Sequence, residues 1–318
     1  MLITNVYYTL KPLIPRRVQL ALRRQIVLRK RLACSHVWPI DPRSSLPPAN
    51  WRGWPHQKRF ALVLTHDVEW APGQEKCKAL AQLEQRMGFR SSFNFVPERY
   101  NVSTAIRHDL TRRGFEIGVH GLKHDGKLYK TRAIFQSRAI RINRYLKEWE
   151  AVGFRSPAMH HNLEWLHDLN VLYDASTFDT DPFEPQSDGL GTIFPLWVNG
   201  KPNQRGYVEL PYTLPQDFTL FVLMKEQSIN IWKKKLDWIA AHGGMALLNT
   251  HPDYMSFNGR KPGLEEYPVE HYAQLLDYVN SKYADQYWHA LPKQMARFWS
   301  DRARHQVHHK QSLLVEQR

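Results

Sequence analysis

A chain of 318 residues can bury a large core, and 42% apolar beside 23% charged residues is the composition of a folded globular protein. No stretch approaches the ~18 uninterrupted apolar residues of a membrane-spanning helix, so none is expected. The net charge of +14 is concentrated: residues 1–60 carry 12 Lys and Arg against one acid, Asp41, which leaves only +3 for everything that follows. The basic balance therefore does not point to nucleic acid, because the body of the chain does not carry it.

The first 14 residues, MLITNVYYTLKPLI, have no basic start, are interrupted by Lys11 and precede no small-residue cleavage site. No secretory signal is read there, and a cytoplasmic location is the expectation. Only two cysteines occur, Cys34 and Cys77, which form no disulfide framework and suit a reducing compartment. Residues 14–32 read as a helix with Arg and Lys around much of its circumference and a partial apolar stripe of Val18, Leu22 and Ile26, extended by Arg29. Residues 11–32 are thus a candidate for peripheral contact with an acidic membrane. Residues 36–56, rich in Pro and Trp, read as an irregular arm, with Trp38, Trp51 and Trp54 as anchors on the domain that follows.

From Phe60 short apolar runs alternate with helical stretches. FALVLT (60–65), SFNFV (92–96), FEIGVH (115–120) and MALLNTH (245–251) are expected strands. Residues 128–150, 228–242 and 269–283 are expected helices. The alternation predicts an α/β domain with a parallel sheet or barrel. The expected division is a basic arm over 1–58, a catalytic body over 59–300 and a polar, His-rich tail over 301–318.

Chemistry-bearing side chains recur where expected strands end, the edge at which α/β barrels build active sites. Asp67 and Glu69 follow the first strand and share a face by the two-residue period, while His66 faces away. One such carboxylate can bind a metal while the other takes a proton from water. His120 and His124 follow another strand. At i and i+4 they align on a helical turn or converge in a tight loop, and neutral imidazole suits zinc and similar ions. The spacing alone is weak, since His305 and His309 repeat it in the tail. Arg155, after VGF, can hold a carboxylate by a bidentate contact. His251, at the end of MALLNT and before Pro252, is a candidate general acid.

Taken in order, THDVE (65–69), HGLKH (120–124), RSP (155–157) and LNTH (248–251) resemble the motifs of the polysaccharide deacetylase family, the NodB-homology or carbohydrate esterase family 4 enzymes. The flanking GFEIGVHGLKHD (114–125) and WHALPKQMARFW (288–299) are similar too, so the resemblance covers residues 60–300. It implies a distorted (β/α)7 TIM-like barrel and a divalent metal, usually zinc. It implies Asp67 as catalytic base, Arg155 as the residue that holds it and His251 as general acid. His120 and His124 are then metal ligands.

Two positions depart from the family. Val68 stands where a second, metal-binding Asp is usual, and Glu69 is the proposed replacement. Gly121 stands where Ser or Thr is usual. Asp217 is the candidate for the acid that tunes His251. The implied reaction is removal of an N-acetyl group from an amino-sugar-containing glycan or a lipid-linked biosynthetic intermediate, as in exopolysaccharide biosynthesis. The alternatives are a metal-free glycan-binding pseudoenzyme and a small-amide hydrolase.

Overall fold

A computed structural model of the chain describes residues 15–200, 205–257 and 259–302. All nine residues of β1 (Phe60–Val68) are buried, which a strand achieves only when both of its faces are covered. Three strands pair with it in parallel: β8 (Met245–Thr250) along Ala61–His66, β2 (Ser92–Phe95) along Thr65–Val68 and β11 (Tyr287–His289) along Phe60–Leu62. From β2 the sheet continues in parallel through β3 (Glu116–His120), β4 (Gly153–Arg155), β5 (Tyr173–Asp174) and β7 (Tyr207–Glu209). β6 (Leu196–Val198) adds to β7 antiparallel. A bridge between Leu214 and Leu248 brings the chain after β7 back against β8 and closes the ring. The wall is thus β1 to β5, β7 and β8, the distorted α/β barrel that the sequence resemblance implies.

The first three crossovers are regular. α2 (Ala71–Arg86) leads to β2, α3 (Thr104–Arg112) to β3 and α4 (Arg132–Glu148) to β4. α2 buries Cys77, Leu80, Ala81 and Glu84, the spacing of one helical face. Ser103 and Thr131 cap the next two helices, their hydroxyls accepting from the amides of Ile106 and Ile134. Distortion enters after β4. The step to β5 has only short 3-10 turns at Pro157–Met159 and Trp165–Asp168, and the step to β7 is a long loop that carries β6. A π-helical turn (Phe218–Leu223) and α5 (Asn230–Ala241) precede β8. The pair β9 (Met255–Ser256) and β10 (Tyr267–Pro268), then α6 (Glu270–Tyr283), precede β11. α7 runs over 292–302. The helices expected at 128–150, 228–242 and 269–283 are α4, α5 and α6; α4 and α5 are shorter at both ends, and α6 only by its first residue.

Ahead of the barrel, α1 (Arg16–Ala33) lies against the π-helical turn. It buries Leu20 and Val27, and Arg24 donates to the carbonyls of Leu223 (3.0 Å) and Val222 (3.2 Å). Arg31 pairs with Glu226 at 2.5 Å. The stripe read from the sequence faces the other way: Val18, Leu22 and Ile26 are 47%, 48% and 57% exposed. The side bearing Arg24 and Arg31 docks instead, because it meets free carbonyls and a carboxylate.

The arm then runs to the end of the barrel where the strands begin. Trp54 is buried there, donates to the carbonyl of Gly243 at 2.8 Å and stacks over Phe194. Trp51 meets Trp54 edge-on and packs beside Trp299, while Trp38 is buried against Phe183. Both cysteines are free thiols. Among the described residues no helix is long and apolar enough to cross a membrane. Residues 1–14 and the tail with His305 and His309 lie outside the described residues.

Candidate active site

Alternation along β1 sends Thr65 and Asp67 into the barrel and His66 out of it. His66 is held behind the strand, Nδ1 at 2.7 Å from the Thr250 hydroxyl and Nε2 at 2.8 Å from Glu84. Glu84 also accepts from Ser91 and from Tyr272. This buried network ties α2 to the sheet and takes His66 out of consideration as a site residue.

Asp67 is buried, and each of its oxygens accepts one amide hydrogen bond: Oδ1 from Asn94 and Oδ2 from Asn249, both at 2.9 Å. Arg155 Nη1 stands 3.5 Å from Oδ1, while His120 Nδ1 and His251 Nε2 stand 3.9 and 4.0 Å from Oδ2. Burial opposes ionisation of this carboxyl, but the charges of His120, Arg155 and His251 outweigh it and hold the group down at about 2. The expected bidentate grip of Arg155 on a carboxylate is not formed. Arg155 gives Nε to the carbonyl of Ala175 and Nη1 to the Thr65 hydroxyl, both at 2.8 Å, so a single nitrogen faces Asp67.

Glu69, His120 and His124 each offer a ligand atom, and these atoms lie within 4.8 Å of one another. β3 ends at His120 and the chain turns at once, so the two histidines converge in a loop and not on a helix. His124 itself has a φ of 52°. Gly121 makes that turn. Its φ is +62°, and a Cβ there would lie 2.5 Å from the Pro157 ring. The departure from Ser or Thr at this position therefore has a local steric reason.

His120 Nδ1 sits 3.1 Å from the carbonyl of Arg155, which can only accept. The proton is thereby placed on Nδ1 and the lone pair on Nε2. Burial lowers the His120 imidazole to about 4, the neutral form that binds metals. His120 Nε2 is buried without a hydrogen-bond partner among the described residues. An orphaned His120 nitrogen beside the close pair of His124 and Glu69 fits a divalent cation. Glu69 Oε1 lies 2.9 Å from His124 Nε2, and Oε2 accepts from the Tyr254 hydroxyl at 2.9 Å. Burial opposes its ionisation too, but the His124 charge and hydrogen bond outweigh it and keep Glu69 well below the usual carboxylate range.

His251 ends β8 opposite this trio. Its Nδ1 is 2.7 Å from Asp217 Oδ1, and its backbone amide donates to Oδ2 at 2.8 Å. Tyr267 also donates to Asp217, at 3.0 Å. Burial alone would lower the His251 imidazole, but the Asp217 carboxylate overrides it and raises the group to about 10. Nε2 is left facing Asp67.

Several residues of the site had no reading in the sequence. Asn94 lies between Phe93 and Phe95 at an inward strand position, and Asn249 shares the inward face with His251. A lone amide inside an apolar strand was the available signal. Asp253 accepts from the amides of Glu69 (2.8 Å) and Trp70 (3.0 Å) and so fixes the loop between β1 and α2. Gly73 permits that approach, since a Cβ there would lie 2.3 Å from the Asp253 carboxylate. Asp253 and Tyr254 sit in an aperiodic loop that carries no comparable signal.

No protein-family model matches the chain, and no curated protein matches it. Solved structures do. A protein from Mycobacterium smegmatis assigned as a polysaccharide deacetylase superposes with a TM-score of 0.62 at 19% identity, covering 81% of this chain and 96% of the other. The allantoinase Puue gives 0.60 at 17% identity, covering 82% and 97%. A protein from Pseudomonas aeruginosa PAO1 assigned as a polysaccharide deacetylase gives 0.60 at 17%, covering 82% and 98%. At such identities the likeness is one of fold: the chain has the NodB-type fold of the polysaccharide deacetylases. An allantoinase shares that fold equally well, so the choice of substrate rests on the residues of the site.

Proposed function

We propose that the chain is a metal-dependent hydrolase that removes N-acetyl groups from an amino-sugar-containing glycan or its lipid-linked precursor. The observation that carries this reading is the trio Glu69, His120 and His124 with its orphaned His120 nitrogen, flanked by an ionised carboxylate and a cationic imidazole. A divalent metal held by the trio, zinc by the donor set, supplies Lewis acidity toward an amide carbonyl and a water.

Asp67 is the base. It is ionised at neutral pH and accepts the proton of the attacking water, while Asn94 and Asn249 keep its carboxylate from rotating. Arg155 holds Thr65 and the strand below the base and adds one positive charge beside it. His251 is the acid. Asp217 fixes its Nδ1 proton and stabilises the imidazolium, so Nε2 can give a proton to the departing amine. One water is consumed, and acetate and a free amine are released. A small-amide hydrolase is disfavoured by the complete trio. The metal-free glycan binder suggested by Val68 is disfavoured by the unpartnered His120 nitrogen.

The test is elemental analysis of the purified protein together with acetate release from N-acetylated sugars. Wild type should hold one divalent metal per chain. His120→Ala and His124→Ala should lose both metal and turnover. Asp67→Asn should keep the metal and lose turnover by a factor on the order of 10² to 10⁴. Stoichiometric metal after both histidines are replaced would sink the assignment.

The precursor is proposed to be lipid-linked because of α1. Its outward face combines Val18, Leu22 and Ile26 with exposed Arg17 and Arg29, a surface suited to anionic headgroups.

A further inference from the structure

Beside the metal trio lies a cation, Arg99, without a hydrogen-bonding or ionic partner among the described residues. Trp70 follows Glu69 directly, its backbone is held by Asp253 at 3.0 Å, and its ring is 48% exposed. The Arg99 guanidinium lies over that ring, 3.1 Å from the centroid. Arg99 makes no hydrogen bond or ion pair among the described residues, and its Nη1 is buried without a partner. Other arginines near the mouth are committed. Arg138 meets both oxygens of Asp125 at 2.7 Å, and Arg141 pairs with Glu98. Burial of Arg99 disfavours its charge, and the carboxylates that favour it, Glu69 before Asp253, stand at the end of the barrel where the strands finish.

We infer that Arg99, seated on Trp70, is a subsite for an oxyanion of the sugar substrate, either a phosphate or a carboxylate. This inference rests on the proposed deacetylase reading and names the class of substrate within it. The stack uses the guanidinium face and leaves its N–H edge for a ligand, the edge that matches phosphate and carboxylate oxygens in pairs. A partly desolvated cation with no ionic partner costs free energy, which an anion on its open N–H edge offsets. Arg99 stacks on the residue that follows Glu69, which places the anion beside the metal trio.

The test uses the metal-loaded full chain and three probes: N-acetylglucosamine 1-phosphate, an N-acetylhexosaminuronic acid and neutral di-N-acetylchitobiose. Wild type should prefer one of the two anionic probes, and the preferred one identifies the source of the oxyanion. Arg99→Gln should raise KM for that probe about 10-fold or more, with kcat, metal content and turnover of the neutral probe unchanged. Arg99→Lys should recover part of the loss. If Arg99→Gln lowers turnover of all three probes alike, or loses metal, Arg99 braces Glu69 and the subsite is wrong while the deacetylase reading stands. If wild type hydrolyses none of the probes, the deacetylase reading fails for these sugars, and calorimetric binding of N-acetylglucosamine 1-phosphate decides the subsite. Weaker binding by Arg99→Gln supports it. Equal binding, or none by wild type, overturns it.

Discussion

Where the barrel strands finish, Glu69, His120 and His124 converge with the His120 Nε2 unmet, and Asp67 and His251 stand 4.0 Å apart with opposite charge. Where the strands begin, Glu116 is equally buried, yet it accepts from the Tyr173 hydroxyl and from the amide of Lys293, both at 2.9 Å. Trp54 closes that end with its indole nitrogen bonded. One end therefore stores polar groups that a ligand must complete. The other pairs Glu116 and Trp54 within the protein and adds aromatic area. The difference separates function from stability within one barrel.

The largest effect on stability is expected at the closed end. Trp54→Ala removes a buried indole and its hydrogen bond and should cost about 3–5 kcal/mol, read from denaturant unfolding. Metal stoichiometry of the folded fraction should not change. A fall in metal affinity with stability intact would show that the two ends are coupled and that the comparison fails.

A smaller effect separates Glu116 by pH. Burial raises its carboxyl to about 7 from an ordinary value of 4.5, against the hydrogen bonds of Lys293 and Tyr173. The folded state therefore keeps a proton that the unfolded chain loses above 4.5. Its stabilisation is full below that value and is lost as pH rises through 7. Glu116→Gln mimics the protonated form and escapes the loss. Between pH 5 and 8 the stability of the variant relative to wild type should rise, by at most about 3 kcal/mol. A difference that stays constant over this range would mean that Glu116 is ionised in the folded protein.

The end with the proposed site was the more legible of the two, and the reason is local. A polar residue at the end of an apolar run is a short-range pattern, and it located Asp67, Glu69, His120, His124, Arg155 and His251. What holds those residues is long-range. Thr65 and Asp67 meet Arg155 and Asn249 only after the ring closes, so the bidentate expectation for Arg155 missed two competing acceptors. Asp217 entered through the family resemblance alone, because nothing near LPQDF marks it. The docking side of α1 was illegible for the same reason. It is chosen by carbonyls at Val222 and Leu223, nearly 200 residues downstream, and not by apolar periodicity.

That last point sharpens the comparison by adding a third surface, neither completed nor catalytic. The outward row of α1 exposes Val18, Leu22 and Ile26, with Arg29 among them, on the side opposite Leu20 and Val27. Each basic residue near an anionic bilayer contributes about 1 kcal/mol, and the apolar row adds insertion at the headgroup boundary. Co-sedimentation with phosphatidylserine-containing vesicles should exceed that with neutral vesicles and weaken as salt rises. Leu22→Asp with Ile26→Asp should abolish binding while leaving folding and acetate release from soluble sugars unchanged, because neither side chain packs on the barrel. Equal binding to neutral and anionic vesicles would remove the membrane from this account and leave α1 as a brace for the π-helical turn that carries Asp217 at its start.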